Sequence, residues 1–143
     1  MNSLRFQVLW TDSDTMLSLA VTVSGSTHST YHETYLYPET LTKFAAALEN
    51  FPWNGATEAS LESGAKDPQY HDYLRLRVFL IKPTGQSALE VESEVRGAAP
   101  LRAEAHFYVR GLPMDFNRVG AAINAWLTDT SAPLRVEWED SWE

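Results

Sequence analysis

The chain has 143 residues, of which 44% are hydrophobic, 12% aromatic and 21% charged, which excludes a disordered tail or a collagen-like repeat. Eleven Lys+Arg against nineteen Asp+Glu leave a net charge of −8, which disfavours broad binding to nucleic-acid phosphates or to an anionic membrane. The absence of cysteine excludes disulfides, thiolate nucleophiles and Cys-ligated metal, and the longest unbroken apolar run, Phe44 to Leu48, is too short to span a bilayer.

The first half alternates with period two. Leu4, Phe6, Val8 and Trp10 fall on one side of an extended segment, and Leu17, Leu19, Val21 and Val23 do the same in the next. Asp12, Ser13 and Asp14 supply the turn between them, and Ser24-Gly25-Ser26 a second turn. Thr27 to Tyr37 is rich in Thr and Tyr, which prefer strands, so three strands form an antiparallel meander. The period then changes. Pro38 suits a first helical turn, Glu39 favours the positive end of the helix dipole, and Leu41, Phe44, Ala45 and Leu48 follow at helical spacing. Asn50-Phe51-Pro52 ends this helix.

Thr57 to Ser63 predicts a short strand, followed by the polar loop SGAKDPQYHD. Tyr73 to Lys82 predicts a long strand ending at the turn Pro83-Thr84-Gly85. Ala88 to Arg96 predicts the next, with Leu89, Val91 and Val95 on one face and Glu90, Glu92 and Glu94 on the other. Leu101 to Arg110 predicts a third, with Leu101, Ala103, Ala105, Phe107 and Val109 inward. A second helix is expected from Pro113 to Asp115 onward, with Asp115 as N-cap and a buried stripe of Phe116, Val119, Ile123 and Trp126 or Leu127. Gly120 lies on that stripe at a cost of about 1 kcal/mol relative to Ala, which points to close packing on the sheet. Leu134, Val136 and Trp138 give a closing or edge strand before the acidic end EDSWE. The order βββαβ-βββα(β) specifies a single α+β domain over residues 1–143. The expected architecture is one curved antiparallel sheet of about six to eight strands with two helices on one face. The two halves echo one another, each a meander followed by a helix.

Chemical signatures are few. His28 and His32 have H-x-x-x-H spacing, but on a strand they stand about 13 Å apart, too far to share one zinc. His71 and His106 read as solvated. Neither G-x-S-x-G nor a phosphate-binding glycine motif occurs. No catalytic, cofactor-binding or metal-binding residue is therefore assigned, and no cofactor is expected. Arg75, Arg77 and Arg102 on flanking strands are placed to pair with Glu90, Glu92 and Glu94 across a solvated sheet face. Tyr31, Glu33, Tyr35 and Tyr37 share one face of the third strand, and tyrosine serves both cores and interfaces. Trp53 and Trp142 lie in irregular segments as core covers or contact anchors. Residues 1–72 carry three Lys+Arg against nine Asp+Glu, so the acidic excess lies mainly there.

The strand meander, the helix YPETLTKFAAALENFP, the strand YLRLRVFLIK and the late helix FNRVGAAINAWL together resemble small uncharacterised bacterial proteins of immunity-protein type, which neutralise toxins by binding them. This resemblance implies a non-enzymatic binding role. The leading expectation is a cytoplasmic acidic domain that binds a basic protein through Tyr31, Glu33, Tyr35, Glu58, Glu62, Asp67 and Asp72. The start MNSLRFQVLW shows no secretory signal, which supports that location. The alternative is a small-molecule binder or enzyme with a pocket between sheet and helices, suggested by five Trp, six Tyr and six Phe. A homodimer joined through the edge strand Leu134 to Trp138 is a third expectation.

Overall fold

The period-two segments form strands and the two helical stripes form helices in a computed structural model that describes residues 1–53, 55–67 and 69–140. The elements are β1 (Asn2–Thr11), β2 (Leu17–Ser24), β3 (Ser29–Leu36), α1 (Pro38–Asn50), β4 (Glu58–Gly64), β5 (Asp72–Lys82), β6 (Gln86–Val95), β7 (Ala103–Gly111), α2 (Pro113–Trp126) and β8 (Leu134–Trp138).

The strands make two antiparallel sheets, not the single sheet of six to eight strands that the meanders suggest. The first has the order β3-β2-β1-β8 and the second β4-β5-β6-β7. The reason is the strand after each helix. Instead of extending the meander that precedes it, β4 pairs with β5 and β8 returns to pair with β1, Asn2 opposite Trp138 and Phe6 opposite Leu134. Each meander therefore receives its fourth strand from the other half of the chain. The two halves are related element by element, β1 to β5, β2 to β6, β3 to β7, α1 to α2 and β4 to β8.

One apolar core joins the inner faces of both sheets to both helices, with Phe6, Leu61, Leu76, Phe51, Phe116 and Ile123 fully buried. Proline starts both helices at the position where a missing N–H costs nothing. The expected cap at Asp115 is displaced. Leu112 is the N-cap of α2, and Asp115, three residues on, accepts the Leu112 N–H through Oδ2 at 2.8 Å. Gly120 packs α2 on α1 and not on a sheet. A Cβ there would lie 2.7 Å from the Ala45 carbonyl oxygen and 2.8 Å from Leu48 Cβ. Leu101 also departs from the alternation. It precedes β7 and is exposed, because the strand begins only at Ala103.

A further departure decides what the first sheet shows to solvent. Register along β1 and β2 slips between Val8, opposite Leu19, and Trp10, opposite Ser18. Leu9 is the extra residue of a bulge, and one extra residue reverses the parity of the strand. Trp10, expected inward with Leu4, Phe6 and Val8, thus points outward and is half exposed.

Candidate functional site

Three groupings of polar or aromatic side chains stand out, and each has a different fate. The first is buried. β3 lies against the second sheet, and His32 is 1% exposed there. Its Nε2 donates to Asp72 Oδ2 at 2.8 Å, and its Nδ1 shares a hydrogen bond with Ser93 Oγ at 2.7 Å. Thr34 Oγ1 donates to the same Asp72 oxygen at 2.8 Å, and Ser63 Oγ donates to the Tyr35 carbonyl at 3.0 Å. Burial alone would raise the Asp72 carboxyl, but the hydrogen bonds from His32 and Thr34 outweigh it and hold its pKa below the ordinary value. Carboxylate, imidazole and hydroxyl stand in the order of an acyl-transfer triad. Ser93, however, is 5% exposed in mid-strand and faces the core, so no substrate carbonyl reaches it. The cluster ties one sheet to the other. Asp72, expected on a binding surface, belongs to this tie. His28 sits apart in the turn before β3, its ring stacked on Phe107 at 5.8 Å. The two histidines thus take separate partners, as strand spacing requires.

The second grouping covers the outer face of the second sheet. The register sets Glu62, Arg75, Glu92 and His106 in one row and Arg77, Glu90 and Tyr108 in the next. Glu90 is nearly buried at the centre. It accepts from Arg77 Nε at 2.7 Å, His106 Nε2 at 2.8 Å and Tyr108 OH at 3.2 Å. Burial opposes its charge, but these hydrogen bonds and the Arg77 guanidinium prevail and bring its pKa down to about 2. Glu92 pairs with Lys66 at 2.8 Å and Arg75 at 3.3 Å, and Glu58 with Arg77 at 3.2 Å. Glu62 accepts from the Tyr73 hydroxyl. Arg102, expected opposite the glutamates, precedes β7 and pairs instead with Glu104 at 3.4 Å. Ligand atoms of Glu90, Glu92 and His106 lie within 4.8 Å of one another. Lys66, Arg75 and Arg77 already hold those carboxylates, so a divalent ion would enter against three fixed positive charges. Two open cavities of about 450 and 380 Å³ lie at the Glu94–Glu104 end of this face, lined by its charged side chains. Neither lies between the sheets and the helices, where the pocket alternative would place its ligand.

The third grouping is the outer face of the first sheet. Tyr31, Glu33 and Tyr35 project from β3 into solvent. Opposite them across β2 stand Arg5, Gln7 and Trp10 of β1. Trp10 and Tyr35 meet edge to face, ring centroids 5.8 Å apart. Tyr31 OH donates to Glu33 Oε2 at 2.8 Å, and that hydrogen bond, with minor burial and the Glu33 charge, raises the Tyr31 pKa. Leu17 opposes Leu36, so the β1–β2 turn with Asp12 and Asp14 lies at the same end of the sheet as Tyr37 and Glu39. Among the described residues no cation pairs with Asp12, Asp14, Glu33 or Glu39.

The seven residues expected to bind a partner are thus distributed. Tyr31, Glu33 and Tyr35 are together on the first sheet, Glu58 and Glu62 are on the second, Asp67 is in the exposed β4–β5 loop and Asp72, partly exposed, is in the tie between the sheets. Trp53 is exposed after α1, and Trp142 lies outside the described residues. The alternation missed Trp10. The signal was the consecutive apolar run Val8-Leu9-Trp10, which a regular half-buried strand does not carry. No helix of the described residues is long and apolar enough to cross a membrane. Comparison with protein-family models, with curated proteins and with solved structures gives no match for this chain.

Proposed function

We propose that this chain is a non-enzymatic protein-binding domain that docks a basic protein on the outer face of its first sheet, as an immunity protein neutralising a basic toxin would. The observation that carries this reading is the bulge at Leu9, which turns Trp10 out of the core and against the exposed Tyr35. Burying a Trp side chain stabilises a fold by about 1.5–3 kcal/mol or more, so turning one outward forgoes core stability. Bulges recur where a side chain is re-aimed for function, and Trp and Tyr dominate interface hot spots. The charge pattern agrees. The glutamates of the second sheet are largely neutralised by the chain's own cations, whereas among the described residues no cation pairs with the acids around Trp10 and Tyr35.

The test is quantitative capture from the native host at low salt, with the wild type and a Trp10→Ala/Tyr35→Ala variant side by side. The reading predicts a cationic protein retained by the wild type and lost by the variant, with unchanged thermal unfolding of the variant. Equal retention by both proteins would place the interface elsewhere.

A further inference from the structure

We infer that the first sheet holds a seat for an arginine side chain of the partner, with the guanidinium stacked on the Trp10–Tyr35 pair and salt-bridged to Glu33. This rests on the reading of that face as a protein interface and names the group it recognises. The second sheet shows the same chemistry completed within the chain. There the Arg77 guanidinium lies 4.2 Å from the Phe79 ring centroid, and its Nε donates to Glu90 at 2.7 Å. One planar cation thus satisfies an aromatic ring and a carboxylate together on an exposed sheet face. On the first sheet the aromatic and the carboxylate are present, and the face's own cation, Arg5, stands in the row of Tyr31 across β2, but among the described residues no cation pairs with Glu33. Glu33 and Tyr35 are successive outward residues of β3, about 7 Å apart along the strand, a span that one guanidinium bridges. Tyr31 OH occupies only Oε2 of Glu33, so the carboxylate keeps acceptor sites and is oriented by that bond. Trp10 and Tyr35 meet edge to face, which leaves ring faces available to a cation. Arginine fits better than lysine because its planar group stacks and pairs at once, whereas ammonium is a strongly hydrated point charge.

The test uses the full-length protein labelled with ¹⁵N and titrated with hexa-arginine, hexa-lysine and hexa-glutamate peptides. The expected result is saturable shifts at the Trp10 indole N–H and the Glu33 and Tyr35 amides with hexa-arginine. Hexa-lysine should bind about threefold to tenfold more weakly, and Glu33→Gln should weaken hexa-arginine by a similar factor. Glu33→Gln keeps the side-chain shape at an exposed position, so loss of fold does not obscure the result. Equal affinity for hexa-lysine, insensitivity to Glu33→Gln, or shifts centred on other acidic segments would overturn the seat. If the seat fails while Trp10→Ala/Tyr35→Ala still abolishes partner capture, the interface stands without it. If the seat binds arginine but capture is unaffected by that variant, the reading of the face as the partner interface fails.

Discussion

His32 is the side chain on which the joint between the sheets turns. Fully buried, it spends both ring nitrogens on the opposite sheet, one on Asp72 and one on Ser93. Its replacement by alanine would leave a partly buried carboxylate and a buried hydroxyl short of a partner and open a cavity. We expect His32→Ala to lower stability by about 2–4 kcal/mol, and Ser93→Ala by about 1 kcal/mol, in urea unfolding. Acid should act at this joint, through Asp72, and on the outer face of the second sheet, through Glu90. Asp72 and Glu90 both have folded pKa values below their unfolded ones, so the unfolded chain binds their protons more readily. The stability they contribute is complete above the ordinary carboxylate range and is lost as pH falls below it, for Glu90 between 4.5 and about 2. Stability measured across that window should drop less steeply for Glu90→Gln than for the wild type. Equal slopes would show that the Glu90 pairing does not carry the acid sensitivity. The Arg77–Glu90 pairing was legible in the sequence from the strand alternation, but the joint was not. His32 stands there only at H-x-x-x-H spacing from His28, too far along a strand to act with it, and nothing local places Asp72 and Ser93 beside it.

Local periodicity gives the elements well, since each strand carries its own alternation and each helix its own stripe. It fails where a single residue changes parity. Leu9 reverses β1, and the register along β5 slips in the same way between Leu80 and Lys82. The sequence also shows no sheet membership, because β8 chooses its neighbour across more than a hundred residues, a choice made by the shared core. Gly120 illustrates the same limit. Its place on the stripe is visible, but its contact with the backbone of α1 is not. Gly120→Ala gains about 1 kcal/mol of helix propensity, yet its Cβ meets a carbonyl oxygen that cannot yield. We expect a net loss of about 1–3 kcal/mol in chemical denaturation. A stabilised variant would mean that the helices can part without cost.

Across the whole molecule, the two halves keep the same architecture and differ in what fills equivalent places. Where His32, Asp72 and Ser93 join β3 to the second sheet, the facing contact at β7 is largely apolar, Val109 against Gly25 and Phe107 against His28. The outer faces have diverged as well, one covered by paired charges and the other by aromatic side chains beside acids that no cation pairs with among the described residues. A surface of that kind attracts a cationic protein over about a Debye length, so the association rate should fall between 50 and 500 mM salt while dissociation changes little. Stopped-flow association of the captured partner would show this, and a salt-independent rate would remove electrostatic steering from the account. The most direct measurement of the central claim is hydrogen–deuterium exchange of the protein alone and in its isolated complex. Protection confined to Arg5–Thr11 and Tyr31–Tyr37 is the predicted result. Protection of Tyr73–Phe79 and Glu104–Arg110, with the first sheet unchanged, would contradict it.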